Sequence, residues 1–385
     1  MKENQIVKLS DVCDLIPGFA FKSSEFGEHH TKAVKIGDIQ PPYVNYEGMA
    51  GVDISKYSIS KLAKYEISKG DFVLAMTGAT IGKIGRYISE TGAYINQRVL
   101  KFKPHDDVNA DFIYYVVSSA TFQKYILNNI DSETAQPNIS AGSVGKYEFT
   151  LPSIEEQNRI ADVLVSIDNK IQINRQINDN LEQQASSLLS DWISTYPCIT
   201  YKLSDVCKYV SAKCDTSNLT SQNYISTENM LPNKKGIVDA SNIPGGKVTS
   251  YEIDDILIAN IRPYFQKIWK ADTNGGCSTD VLCIRANIES HSPILYWLLH
   301  QDAFFEYVMT GAKGCKMPRG DKQHIMNWSI ALPENEYWTD LATQLGSIDQ
   351  RIAYNRIESI NLSNLRDTLL PKLMSGELKI NEIDC

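Results

Sequence analysis

No stretch of the 385 residues stays apolar for the roughly 18 positions a membrane-spanning helix needs, and the first ten, MKENQIVKLS, lack the apolar core of a secretion signal. Both absences lead to the expectation of a cytoplasmic protein. No pair among the eight cysteines is spaced C-x-x-C and the six histidines do not cluster beside them, which argues against a metal site. Cys13 lies in the first half and Cys198, Cys207, Cys214, Cys277, Cys283, Cys315 and Cys385 in the second, where they read as reduced thiols. Catalytic sets are missing too. Thr77-Gly78-Ala79-Thr80-Ile81-Gly82-Lys83 has three residues between its glycines where a phosphate loop has four, and Ile84 stands where that loop has Ser or Thr. Asn260-Ile261-Arg262-Pro263-Tyr264 lacks the paired prolines of an adenine-methylation motif, no H-E-x-x-H is present, and Glu377-Leu378-Lys379 has no acidic partner upstream in a suitable context. With no assembled acid–base or nucleophilic set, the chain reads as a binding protein that is not catalytic alone.

Net charge is −8, but its distribution matters more than its total. Residues 1–150 carry 16 basic against 17 acidic side chains and 198–331 carry 14 against 13, whereas 151–197 carry 3 against 7 and 332–385 carry 5 against 9. The acidity sits in two segments, and the near-neutral remainder leaves room for nucleic acid.

What is present is a duplication. Lys8-Leu9-Ser10-Asp11-Val12-Cys13 recurs identically from Lys202 to Cys207, and from Pro137 onward the copies run without a gap at an offset of 181. Leu151-Pro152 thus matches Leu332-Pro333, and Ser166-Ile167-Asp168 matches Ser347-Ile348-Asp349.

After Pro152 the apolar period becomes helical. Ile160, Leu164, Ile167, Ile171, Asn174, Leu181 and Leu188 follow a heptad seam, repeated as Leu341, Leu345, Ile348, Ile352, Asn355, Leu362 and Leu369. Arg366 interrupts the second seam, with Leu365 expected to substitute. Ser153 and Glu156 have capping-box spacing, and Pro197 and Pro371 mark expected stops. Each such helix, about 37 residues and about 55 Å long, needs a partner for its stripe, and the other repeat supplies one. Asn174 and Asn355 are expected to fix the register of that pairing.

The remaining segments read as mixed α/β (α+β) with β-rich cores. Phe72–Met76 and Val99–Phe102 have strand character, and Phe112–Leu127 and Pro293–Val308 read as core helices. The organisation is 1–152 for a first domain, 153–197 for a first long helix, 198–333 for a second domain, and 334–385 for a second long helix and tail. Matching loops differ at their polar tips: Thr77–Lys83 against Asn260–Lys267, Asn96-Gln97-Arg98 against Ser278-Thr279-Asp280, and Gln136-Pro137-Asn138 against Met317-Pro318-Arg319. The segment Lys313–His324 is the most cationic in the chain.

Leu151-Pro152-x-x-Glu155-Glu156-Gln157-x-x-Ile160-Ala161, running into Ser166-Ile167-Asp168-x-Lys170-Ile171, resembles the first helical region of type I restriction-modification specificity subunits. Leu369-Leu370-Pro371-Lys372-Leu373-Met374-Ser375-Gly376-Glu377-Leu378 is similar to the family's C-terminal signature. Thr77–Lys83 with Ile95-Asn96-Gln97, and Cys277-Ser278-Thr279-Asp280, resemble two of its recognition-domain types. The second copy departs from the first motif, with Glu334-Asn335-Glu336-Tyr337-Trp338 in place of Ser153-Ile154-Glu155-Glu156-Gln157.

The resemblance implies two target recognition domains related by an internal pseudo-twofold repeat, each reading half of a bipartite asymmetric double-stranded DNA site. It also implies an antiparallel coiled coil of the long helices, which sets their spacing and docks two modification (methyltransferase) subunits. S-adenosylmethionine, ATP and Mg then belong to partner subunits, which include the restriction/translocase subunits. Thr77, Thr80, Lys83, Asn96, Gln97 and Arg98 in the first domain, and Arg262, Tyr264, Gln266, Lys316, Arg319, Lys322 and Gln323 in the second, are the candidate DNA contacts. Three alternatives remain open on sequence: service to a type II methyltransferase/nuclease, a duplicated adaptor that binds proteins, and an enzyme with an unrecognised centre.

Overall fold

Phe72–Ala75 is buried along its whole length, so its apolar run is a strand covered on both faces. Phe72 and Leu74 join the core under the helices, while Val73 and Ala75 face a second cluster with Val34, Ile67 and Ile95. The computed structural model describes residues 5–130 and 137–378; Gln136, Lys379 and Cys385, named above, lie outside them. In the first domain Phe72–Ala75 sits within a six-stranded sheet ordered Cys13–Pro17, Val99–Pro104, Phe72–Ala75, Ile84–Arg86, Tyr43–Val44, Ile39–Gln40. A smaller sheet is built from Ala50–Val52, Phe26–Val34, Ala93–Ile95 and Glu66–Ile67. The second domain has a four-stranded sheet ordered Cys207–Tyr209, Val281–Ala286, Ile256–Ala259, Ile268–Lys270, and a second sheet of four strands.

The stretches expected as single core helices are each broken in two. Ala110–Ser118 and Ala120–Asn128 are separated by Ser119, whose backbone is extended and whose hydroxyl accepts from the Phe122 amide, starting a new helix. Ser292–Leu299 and Asp302–Thr310 are separated by His300 and Gln301, where Gln301 is likewise extended but its side chain makes no cap.

The long helices are Ile154–Thr195 and Trp338–Ser375, 42 and 38 residues. The chain forms two compact units, 1–171 with 360–385 and 172–359, so each unit holds part of both helices. In the first unit Ile160 and Leu164 share a core with Leu370 and Leu373. Leu365 does not replace Arg366 on the seam: it is 47% exposed. Arg366 keeps the seam position because its guanidinium donates to Asp168 at 2.7 Å, so an ion pair stands where an apolar contact was expected. Pro371 is no stop. It lies inside the helix, where burial of Leu370 and Leu373 holds the turn despite the missing N–H.

In the second unit Ala185, Leu189 and Trp192 pack with Leu341, Ala342 and Leu345, and Leu188, Ile348 and Ile352 flank them. Trp192 donates to the Tyr337 carbonyl, while further back Asn178 donates to the Ile352 carbonyl, so the helices run antiparallel. At Asn178 and just beyond it lies a polar layer. Asn174 and Asn355 are 1% and 0% exposed; Asn174 donates to Glu358 at 2.7 Å and Asn355 to Asn178 at 2.8 Å.

Corresponding positions of the repeat tie each helix to a globular domain. Asp168 accepts from the Tyr115 hydroxyl at 2.7 Å, and Asp349 accepts from the Trp297 indole at 2.8 Å and the Lys270 ammonium at 2.6 Å. At the helix starts, the buried Gln157 donates to the Pro152 carbonyl at 2.9 Å and accepts from the Asn109 amide. Trp338, its counterpart, donates to the matching Pro333 carbonyl at 2.8 Å. The motif departure therefore changes the donor and keeps the bond.

Candidate nucleic-acid interface

The loop 77–83 joins Phe72–Ala75 to Ile84–Arg86, and 261–267 joins Ile256–Ala259 to Ile268–Lys270. The Gly78 amide donates to the Pro137 carbonyl at 3.0 Å; the Arg262 amide donates to the matching Pro318 carbonyl at 2.8 Å. Met76 donates to the Arg98 carbonyl and Asn260 to that of Asp280; Ala75 donates to the Lys83 carbonyl and Ala259 to that of Lys267. One backbone frame is thus built twice, by main-chain bonds that make no demand on side-chain identity.

This frame needs a left-handed residue near each end of its loop. The first copy supplies Gly78 (φ 73°) and Gly82 (φ 85°), which adopt it freely. The second places Arg262 (φ 51°) and Gln266 (φ 50°) there, at a steric cost to each. Side chains held in strained backbone mark a site under functional constraint. Between them Tyr264 and Phe265 are 48% and 37% exposed, with ring centroids 4.7 Å apart.

Of the first domain's candidates, the frame brings Thr77, Thr80 and Arg98 together. Thr77 donates to the Pro137 carbonyl at 2.9 Å, Thr80 to the Thr77 carbonyl at 3.4 Å, and Arg98 to Asn138 Oδ1 at 3.4 Å. Gln97 is exposed beside them, while Asn96 is tied to the smaller sheet through the Val34 carbonyl, its own Oδ1 buried without a partner. Lys83 is exposed at the far end of the loop. In the second domain Arg262 and Arg319 meet on the same frame, with Ile261 bridging Arg319. Lys316 and Gln323 are exposed, and Lys316 lies on an excursion closed by paired backbone bonds between Lys313 and Arg319. Lys322 is set apart: its ammonium lies 5.7 Å from the centre of the Tyr209 ring.

Sequence reasoning missed Asn138 and Asp280. They occupy opposite ends of a cross-loop pair whose polarity is exchanged between copies, Arg98 to Asn138 in the first and Arg319 to Asp280 at 3.2 Å in the second. The signal was in the alignment of the repeats, where a cation at one position accompanies a polar acceptor at the other. Asp321, two residues after Arg319 in the cationic segment, is pulled down to about 2, first by Lys313 at 2.6 Å and then by the amides it caps. Among the described residues no cluster of His, Cys, Asp and Glu could hold a metal ion.

Residues 1–183 match the family model of the type I restriction modification DNA specificity domain. The matched segment takes in the first domain and most of the first long helix. Of its type I specificity relatives, the MjaVIII specificity subunit of Methanocaldococcus jannaschii is 31% identical over 192 residues, covering 48% of this chain and 44% of the relative. The chain thus spans under half of that protein. The MjaIX specificity subunit of the same organism is 20% identical over 362 residues, covering 86% of this chain and 83% of the relative. The type I specificity fold extends along the chain: the crystal structure of the type I restriction-modification S subunit from M. genitalium matches 97% of each chain with a TM-score of 0.56 at 17% identity. No helix among the described residues is long and apolar enough to cross a membrane.

Proposed function

We propose that this chain is the DNA sequence-specificity subunit of a type I restriction-modification complex and has no activity alone. Each domain reads one half of a bipartite, asymmetric site on double-stranded DNA. The two long helices set the spacing of the halves and dock two modification subunits, and restriction/translocase subunits join them in the full complex. S-adenosylmethionine, ATP and Mg act in those partners, in the cytoplasm where the DNA lies.

The observation that carries this reading is the double-built frame with exchanged tips. Shared main-chain bonds fix where a tip sits, while its side chains differ between copies in charge and in hydrogen-bonding character, as two readers of different sequences require. Replacing residues 1–152 by the matching domain of another family member, followed by mapping of methylated adenines in cells carrying the modification subunits, tests it. One half-site should change and the other persist; an unaltered methylation pattern overturns the reading.

A further inference from the structure

The second domain holds a cleft of about 100 Å³ beside the reading frame, lined by residues that include Tyr209, Lys213, Thr249, Thr279, Cys283 and Lys322. That is about the volume of three water molecules. Two ammonium groups border it, Lys213 donating to the Thr249 hydroxyl at 3.0 Å and Lys322 lying over the Tyr209 ring. Among the described residues neither lysine has an ion-pair partner.

The carboxylates around the cleft are each taken by another cation. Asp280, beside Thr279, faces Arg319; Asp321, beside Lys322, faces Lys313; and Asp255, which accepts from Cys283, is held by Arg285 through two bonds of 2.7 Å. The lining left for a ligand combines the two ammonium groups and the hydroxyls with the apolar Val210, Val281 and Leu282, and holds no carboxylate. The first domain has no counterpart to the Lys322-Gln323 step, since Ala141-Gly142 stand at those positions of the repeat.

We propose that this cleft seats a phosphate group of the DNA backbone and positions the second domain on its half-site. The inference rests on the DNA-reading function. Phosphate contacts hold register without reading sequence, and each neutralised phosphate steepens the salt dependence of binding by about 0.9 in log–log slope. The loss of sequence-independent affinity should therefore be confined to the second domain.

The test uses the full chain with its modification subunits, and K213A/K322A beside K213R/K322R, titrated from 50 to 200 mM salt against a duplex carrying the methylated site and an unrelated duplex. The alanine pair should flatten the slope by about 0.9 on both duplexes. Its deficit relative to the parent should then shrink about 3- to 4-fold across that range, and the arginine pair should restore the slope. Neutral methylphosphonates placed one at a time should reveal one position in the second half-site that costs the parent affinity and leaves the alanine pair unaffected. An unchanged slope, or an altered base preference in the alanine pair, overturns the phosphate seat. A parent complex that does not discriminate the two duplexes defeats the DNA-reading function instead, and the slope on either duplex still judges the cleft.

Discussion

Arg262 occupies a backbone conformation that its counterpart Gly78 adopts freely, so R262G separates what the side chain costs the fold from what it contributes to recognition. A left-handed conformation costs a non-glycine residue about 1–2 kcal/mol, and glycine gives back about 0.5–1 kcal/mol through the freedom of the unfolded chain. The guanidinium has no ion-pair partner among the described residues, and its Nε is buried without a hydrogen bond, so little is lost with it. R262G should therefore leave stability unchanged or raise it by up to about 1.5 kcal/mol, which is about 3–6 °C for a unit of this size. Tryptophan fluorescence reads this cleanly, because Trp192, Trp269, Trp297, Trp328 and Trp338 all lie within 172–359. Methylation should meanwhile lose about 1–3 kcal/mol of discrimination at one position of the second half-site, roughly 5- to 150-fold. R262A keeps the strain and loses the same discrimination. A loss of more than about 1 kcal/mol in R262G would mean that the arginine braces the loop, and unchanged selectivity would mean that it reads nothing; either result refutes the reasoning.

The link between the second long helix and its domain makes a sharper stability prediction. D349A orphans the indole N–H of Trp297, itself 1% exposed, and leaves Lys270 only Asp254 at 3.1 Å. The cost should be about 2–4 kcal/mol, with D349N losing less; tryptophan-monitored denaturation checks it, and equal loss in both variants would show that the bonds are not what matters. Burial, then the neighbouring Asp179, pushes Glu182 up to about 7 against the pull of Lys234 and Lys235. A folded-state pKa above the ordinary carboxylate value contributes stability that is complete below pH 4.5 and lost as pH rises through 7. E182Q should flatten that loss by up to about 2 kcal/mol, the full shift discounted for a partly open side chain, as comparison of unfolding at pH 5 and pH 8 will show.

The duplication, the heptad seams and the strands Phe72–Ala75 and Val99–Pro104 were legible because periodic burial writes itself into apolar spacing. Arg366 was not, since its burial depends on Asp168, nearly two hundred residues away in sequence, and no local pattern announces that pair. The breaks at Ser119 and Gln301 were hidden for a related reason. Both helices of each pair bury apolar side chains in one core, so the apolar period runs straight across a residue whose backbone is extended. At the site, exchanged tips were visible as unlike residues in matching loops. That 98 faces 138, and 280 faces 319, needed the folded frame.

Under the DNA-reading function proposed above, that frame explains how one fold can hold two different readers. Were the tips held by their own side chains, exchanging glycine for arginine at 78 and 262, or arginine for aspartate at 98 and 280, would remove the bonds that shape the loop. The bonds that recur instead run between main-chain groups, from 78 to 137 and from 262 to 318, from 76 to 98 and from 260 to 280. An amide and a carbonyl are available from nearly every residue, so side chains can turn over while the loop stays in place. The remaining local cost is backbone strain of about 1–2 kcal/mol at a left-handed position, small beside the stability of a domain. Recognition is thereby separated from folding at the level of individual bonds, with sequence identity expressed on a surface that the fold does not need.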